Sequence, residues 1–252
     1  MIKTEIATGI IRYQFPPHEG KQFGFNLHAL LDEHTKSALL VDTGYEEHAS
    51  SVLDDLQGSG WELKAAVISH FHPDHVLGIH ALPPIEVIGS SRHEETLRQF
   101  GPREEWESLV PSRLTQENSE ISFGRFRLRF IMSPGHAPCS QYTVIDDAFI
   151  HVADNIMTTN DCRDILPWAE FDLITDHIAS LMALREFNDR SFLLSHGCEL
   201  TDQDTKRRAI DNRIRYFRNV LDGAGAFTYE EATRGCTCTF LHQEWLIRKE
   251  NG

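Results

Sequence analysis

Long apolar runs are missing from this chain. No stretch of roughly 18 consecutive apolar residues occurs, so no membrane-spanning helix is expected. The opening residues, Met1-Ile2-Lys3-Thr4-Glu5, lack the basic-then-apolar profile of a signal peptide, and none is expected. Cysteine is sparse, with five scattered residues, an odd number. Cys236-Thr237-Cys238 is too tightly spaced for the usual zinc pair and has no second pair to complete it. Reduced thiols in a cytoplasm are therefore expected. Positive charge is also scarce: 24 Lys and Arg stand against 38 Asp and Glu, a net charge of −14. That balance argues against nucleic acid as a partner unless a basic patch is local. No internal repeat, low-complexity stretch or clear linker interrupts the chain. The simplest organisation is a domain over residues 1–200 with a C-terminal helical extension, 201–252, packed on it. Nothing in the sequence fixes an oligomeric state.

What is present is enough apolar residue for a core, 40% of 252, and an unusual number of histidines, 14. Four metal-capable side chains fall within Ser69-His70-Phe71-His72-Pro73-Asp74-His75. The cluster follows Ala65-Ala66-Val67-Ile68, short and apolar enough for a buried strand. It precedes a helix expected from His75 to Ala81. The cluster thus falls on a loop at the carboxyl end of a strand, where open α/β sheets place their sites. Imidazole and carboxylate suit zinc, manganese or iron.

Other apolar runs end the same way. Phe126 to Met132 runs into Ser133-Pro134-Gly135-His136. A hairpin of Gln141–Ile145 and Ala148–Val152 around Asp146-Asp147 leads to Ala153-Asp154. Ser191–Leu194 leads to Ser195-His196-Gly197. Any one of these would be unremarkable, since a histidine after a strand is commonly just hydrogen-bonded. Together, seven potential ligands suit two metal ions. The earlier chain reads as a strand over Ile6–Tyr13, a turn at Pro16–Gly20, a hairpin of Phe25–Leu31 and Ser37–Val41, and a helix over Glu46–Leu56. Farther on come a helix from Ser91, capped by that serine with Glu94 three residues later, a helix over Asp172–Phe187, and an amphipathic helix over Asp202–Leu221. That last helix runs out at Gly223-Ala224-Gly225.

The order HxHxDH, strand-end Gly-His, Asp and Ser-His-Gly, preceded by Val41-Asp42-Thr43-Gly44, resembles the metallo-β-lactamase superfamily. The resemblance spans about residues 25–200. It implies an α/β fold, an αβ/βα four-layer sandwich of two mixed sheets. It further implies that His70, His72 and His136 hold one metal, that Asp74, His75 and His196 hold the second, and that Asp154 bridges them. Zinc is the first choice, with iron or manganese as alternatives. By the same resemblance, Asp42 steadies the histidine loop rather than binding metal, with a direct catalytic role as the alternative; on chemical grounds Asp74 is placed to orient a metal-activated hydroxide or pass a proton to the leaving atom. The implied function is a dinuclear-metal hydrolase of a small ester, thioester or lactone, resembling glyoxalase-II-like and lactonase-like members. A phosphodiesterase or nuclease on the same site, or a metal-binding regulator without turnover, are the alternatives.

The chain departs from these relatives at two places. Lactonases of the fold carry Tyr three residues after the bridging Asp, where this chain has Met157. The segment after the third histidine, Ala137-Pro138-Cys139-Ser140, differs from the glyoxalase-like pattern; Cys139 reads as a packed thiol, with a substrate contact as the alternative. Lys206 to Arg215 faintly resembles a basic helix of glyoxalase-like and nuclease-like relatives, though a solvated face with Ile210, Ile214 and Phe217 buried explains it as well. Trp168 and Phe171, on the loop after Asp154, are the candidates for lining the substrate pocket, with an ordinary core role as the alternative.

Overall fold

Apolar alternation in the N-terminal half produces strands that pair into one twisted sheet. A computed structural model describes residues 1–223 and 228–248. The first sheet contains, in spatial order, Ile2–Ala7 (β1), Ile10–Gln14 (β2), Asn26–Asp32 (β3), Ser37–Val41 (β4), Glu62–Val67 (β5), Glu86–Ser90 (β6) and Arg113–Thr115 (β7). Strands β1 to β4 pair antiparallel, and β4 to β7 pair parallel. The second sheet contains Glu120–Phe123 (β8), Phe126–Met132 (β9), Gln141–Ile145 (β10), Phe149–His151 (β11) and Ser191–Leu193 (β12). It is antiparallel except that β12 runs parallel to β11. The helices are Glu46–Gly58 (α1), Pro73–Val76 (α2), His93–Leu97 (α3), Arg103–Trp106 (α4), Ile174–Leu184 (α5), Gln203–Asp222 (α6) and Tyr229–Ala232 (α7).

The period-2 pattern assigns each face of a strand to a different core. In β4, Ala38 and Leu40 face outward with Val52 and Leu56 of α1. Leu39 and Val41 face inward, where they meet Leu128, Phe130, Ile145 and Leu193 of the second sheet. Beyond that sheet, Tyr142 and Val144 of β10 pack with Leu181 and Leu184 of α5 and with Ile210, Ile214 and Phe217 of α6. The layers are therefore helix, sheet, sheet, helix, as the fold expectation requires.

Several local expectations change. The opening segment is two strands, turning at Thr8-Gly9, where Gly9 adopts a positive φ of 71°. The helix after the histidine loop begins at Pro73, whose missing N–H costs nothing at a first helical position, and continues as a 3₁₀ turn over Leu77–Ala81. Ser91 caps nothing; Arg92 holds the cap position of α3 without a side-chain bond. The short edge strands β7 and β8 carried too little alternation to be read. Asp202 does cap α6, accepting from the Thr205 N–H at 2.7 Å. Ala224 and Gly225 of the expected stop signal, and residues 249–252 of the C-terminal segment, lie outside the described residues. Cys162 and Cys198, 36 residues apart, form a disulfide with Cα atoms 5.5 Å apart. This corrects the expectation of five reduced thiols: the loops after Asp154 and His196 bring the pair together. Among the described residues, no helix is long and apolar enough to cross a membrane.

Gly78 ties the histidine loop to the Asp42–Gly44 loop. Its N–H donates to the Gly44 carbonyl at 2.7 Å. A Cβ there would meet the Thr43 carbonyl oxygen at 2.2 Å and the Ala49 Cβ at 2.8 Å. Neither neighbour is a flexible tip, so backbone must move. Gly78→Ala is expected to destabilise the fold by about 1–3 kcal/mol, read as a drop in the urea midpoint. An unchanged midpoint would show that these loops can separate freely.

Candidate metal centre

The carboxyl ends of β4, β5, β9, β11 and β12 lie at one end of the sandwich. They deliver Asp42, the histidine loop, His136, Asp154 and His196 to one place. Asp42 and Ala153 both hold positive φ, 61° and 49°. Such backbone costs of order 1–3 kcal/mol for a non-glycine residue and persists where surrounding structure enforces it.

Seven donors converge. His72 Nδ1 lies 3.1 Å from His70 Nε2 and 3.0 Å from His136 Nε2. Asp154 Oδ2 lies 3.4 Å from His75 Nε2, 3.6 Å from His136 Nε2 and 3.3 Å from His196 Nε2. Asp74 approaches His196 Nε2 at 3.5 Å and His75 Nε2 at 3.7 Å. Asp154 thus touches histidines of both halves of the cluster. His70, His75, His196 and Asp154 are buried, while Asp74 is only partly so.

The far side of each ring decides which nitrogen presents its lone pair inward. His75 Nδ1 donates to Asp42 Oδ2 at 2.8 Å, His196 Nδ1 to the Gly24 carbonyl at 2.9 Å, and His136 Nδ1 to the Trp168 carbonyl at 3.2 Å. Asp42 also accepts the Ser69 N–H at 2.7 Å and hydroxyls from Ser69 at 2.8 Å and Ser195 at 3.2 Å. With its hydroxyl proton given to Asp42, Ser69 Oγ can only accept from His70 Nδ1, 3.2 Å away. In these tautomers His70 and His136 turn bare Nε2 lone pairs on His72 Nδ1. A proton on His72 Nδ1 can serve only one of these two lone pairs at a time, whereas a cation seated among the three nitrogens would serve all of them. His75 Nε2, His196 Nε2 and Asp154 Oδ1 are buried with no hydrogen-bond partner. Buried polar atoms are rarely left so, and orphaned acceptors around a carboxylate fit divalent cations.

Electrostatics splits the histidines. Burial holds His70, His72 and His136 below the ordinary imidazole value. Burial also opposes charge on His75 and His196, but there nearby carboxylates, Asp154 foremost, outweigh it and raise both. Asp154 and Asp42 are opposed by burial too, yet their histidine neighbours keep them below the usual carboxylate range. A histidine with lowered pKa contributes stability that is present above the unfolded value, about 6.5, and is lost as pH falls. His28, His151, His48 (lowered to about 4) and His177 (lowered to about 3), all desolvated, add to that group. The raised pair, His75 and His196, acts with opposite sign: its contribution is present below about 6.5 and fades as pH rises through the folded values. The lowered group is larger, so chelator-treated protein should lose stability between pH 7 and 5. Urea midpoints at the two values check this, and a midpoint that rises toward acid would contradict it.

Above the cluster lies a cleft of about 670 Å³. Of the two candidates, Trp168 lines it and Phe171 does not. Phe171 packs on the core beneath α5 and borders a neighbouring depression instead. Tyr45, Phe23, Phe100 and Trp245 line the cleft though no sequence signal marked them, and Met157, the residue at the lactonase tyrosine position, lines it too. Helix α6 contributes no residue to it. Its Arg213 is fully buried, pairing with Asp164 at 2.8 Å and donating to the Met157 carbonyl at 2.6 Å. Cys139 is a packed thiol, taking contacts from the Phe71 N–H and the Thr96 hydroxyl.

Two bacterial proteins named hydroxyacylglutathione hydrolase are similar to this chain: one from Albidiferax ferrireducens, 33% identical over 104 residues, and one from Pectobacterium carotovorum, 32% identical over 107. These matches cover 41% and 42% of this chain but only 36% and 38% of those relatives. The solved structure of a metallo-beta-lactamase from Pontibacter korlensis shares the fold with a TM-score of 0.69 at 14% identity, covering 86% of this chain and 99% of that one. A metallo-beta-lactamase family protein from Thermus thermophilus matches with a TM-score of 0.63 at 17% identity, covering 87% and 83%. The family model described as the metallo-beta-lactamase superfamily matches residues 28–153, half of the sequence, and the chain belongs to that superfamily.

Proposed function

We propose that this protein hydrolyses a small thioester or ester at a site for two divalent metal ions, zinc first and iron or manganese as alternatives. The observation that carries the reading is the inward convergence of orphaned lone pairs around Asp154. In this reading His70, His72 and His136 would hold one ion and Asp74, His75 and His196 the other, with Asp154 available to both. Ions bound there would polarise the scissile carbonyl and lower the pKa of the attacking water.

The chain's own residues supply the rest. Asp42 fixes the tautomer of His75 and anchors Ser69 and Ser195, so one buried carboxylate orients three of the loops. The partly exposed Asp74 carboxylate faces the cleft floor. It takes a proton from the attacking water and returns one to the leaving sulfur or oxygen. Water adds to the carbonyl carbon, the C–S or C–O bond breaks, and an acid and a thiol or alcohol leave. Met157 in place of a lactonase tyrosine favours an open-chain substrate over a lactone. The names of the similar hydrolases favour a thioester. The basic residues of α6 stay away from the cleft, so that helix offers a phosphate no contact there.

Gently purified protein should contain about two metal ions per chain and release thiol from a simple acyl thioester. Chelation should abolish the rate and added zinc or manganese restore it. Elemental analysis finding no metal, with none taken up on addition, would overturn the proposal.

A further inference from the structure

The chemistry above uses the floor of the cleft and leaves its walls unexplained. Two large apolar side chains stand in solvent beside the first group of histidines: Trp168 is 37% exposed and Phe100 42%. Their rings lie 5.6 Å from His136 and 5.8 Å from His72, respectively. On the opposite side, Phe23 and Phe25 set their edges on His196 at 5.0 and 5.1 Å, and Trp245 meets Phe23 at 5.5 Å. Asp154 contacts histidines of both groups, so an aromatic wall flanks it on each side.

Positive charge on these walls is scant. Lys21 is the one lysine or arginine lining the cleft among the described residues, and its ammonium lies 5.3 Å from the Trp245 ring centroid. A peptide thiol with two carboxylates would have to give up water against aromatic faces with a single cation to meet it. An apolar group would instead cover the exposed rings of Trp168 and Phe100 and gain their burial.

Resting on the hydrolase reading, we infer that the substrate carries an apolar, ring-bearing group on each side of the scissile bond, one against Trp168 and Phe100, the other against Phe23 and Trp245. Trp168 and Trp245 are then the residues that set specificity. The side chain of Trp168 is free to do so, since only its backbone carbonyl serves His136.

The test uses the metal-loaded protein and four thioesters: acetyl or 3-phenylpropionyl, each on ethanethiol or 2-phenylethanethiol. Each phenyl should raise kcat/KM about tenfold or more. Trp168→Ala should bring the phenyl-to-alkyl ratio of one position toward one, Trp245→Ala that of the other, and Trp→Phe should restore each. A general loss of folding would lower all four rates without moving the ratios. If neither phenyl, or only one, raises kcat/KM in the unmodified protein, the two-sided inference is overturned while the hydrolase reading stands. If metal is bound and none of the four thioesters reacts, the hydrolase reading itself fails. Tryptophan fluorescence titrations then decide the cleft: phenylacetate binding at least tenfold tighter than acetate supports apolar selection, and equal binding overturns it.

Discussion

Asp74→Asn should lower kcat by about 10²-fold or more while most of the bound metal remains. The substitution keeps an oxygen donor and the side-chain shape, but it removes the negative charge and the ability to accept a proton. Asp74 is the only carboxylate of the cluster with appreciable contact to the cleft: its side chain is 25% exposed, against 4% for Asp154 and 3% for Asp42. A proton acceptor needs that access, whereas a purely structural ligand does not. Asp74 also sits in the N-terminal turn of α2, right after Pro73, so helical backbone holds its Cα and Cβ. Its two histidine contacts, at 3.5 and 3.7 Å, are looser than those of Asp154 to His75 and His196. Metal retention should therefore fall less than the rate. The check is steady-state kinetics beside metal counting on the same preparation. Full activity in the variant would remove Asp74 from the chemical step. Complete loss of metal would make it chiefly a ligand.

The polar floor was legible in the sequence because each member stands right behind an apolar run, and strand ends point their next residues toward a common edge in an α/β sheet. His70, His72, Asp74 and His75 are four residues of one loop, so proximity came from the chain itself. His136, Asp154 and His196 needed the order of motifs. The tautomer-fixing contacts were visible only in part: Asp42 was expected to steady the loop, but the Gly24 and Trp168 carbonyls that orient His196 and His136 belong to backbone, which leaves no mark on residue identity. Apart from Trp168, the aromatic walls were hidden for a different reason. Phe23 precedes the first motif and Trp245 follows the last by 49 residues, so no spacing rule joins them. What joins them is tertiary: Leu241 bridges to Ile165 in parallel, and Trp245 stacks on His242 at 4.8 Å. The disulfide was unreadable on the same ground. Cys162 and Cys198 are scattered in sequence and meet only because the Asp154 and His196 loops do. Phe171 takes the core role of its two expected ones, because three residues past Trp168 the chain has already turned into the 3₁₀ start of α5.

Asp154→Asn should empty the site rather than slow it. Asp154 Oδ2 lies within 3.6 Å of His75, His136 and His196, one carboxylate shared by both halves of the cluster, and its Oδ1 is buried with no partner. A neutral amide offers one oxygen and two N–H groups. If the amide nitrogen takes the Oδ2 position, it turns protons toward nitrogens that need a cation. The local balance of charge also changes. Asp154 is the foremost of the carboxylates that raise the pKa of His75 and His196 against the pull of burial. With that charge removed both imidazoles should titrate lower, so proton competition for those two rings weakens. If metal still fails to bind, the cause is the missing anionic bridge and not protonated ligands. Partners that merely orient a metal ligand cost 10–100-fold in affinity when lost, so removing a direct, shared anionic ligand should cost at least about 100-fold. Metal content after desalting should then fall below about half of the unsubstituted protein's, for both ions together. The measurement is metal analysis joined to an NMR titration of the histidine ring protons in chelator-treated samples. Two tightly held ions in Asp154→Asn would show that the two halves of the cluster hold metal independently. Unchanged titration of His75 and His196 would show that Asp154 does not set their charge.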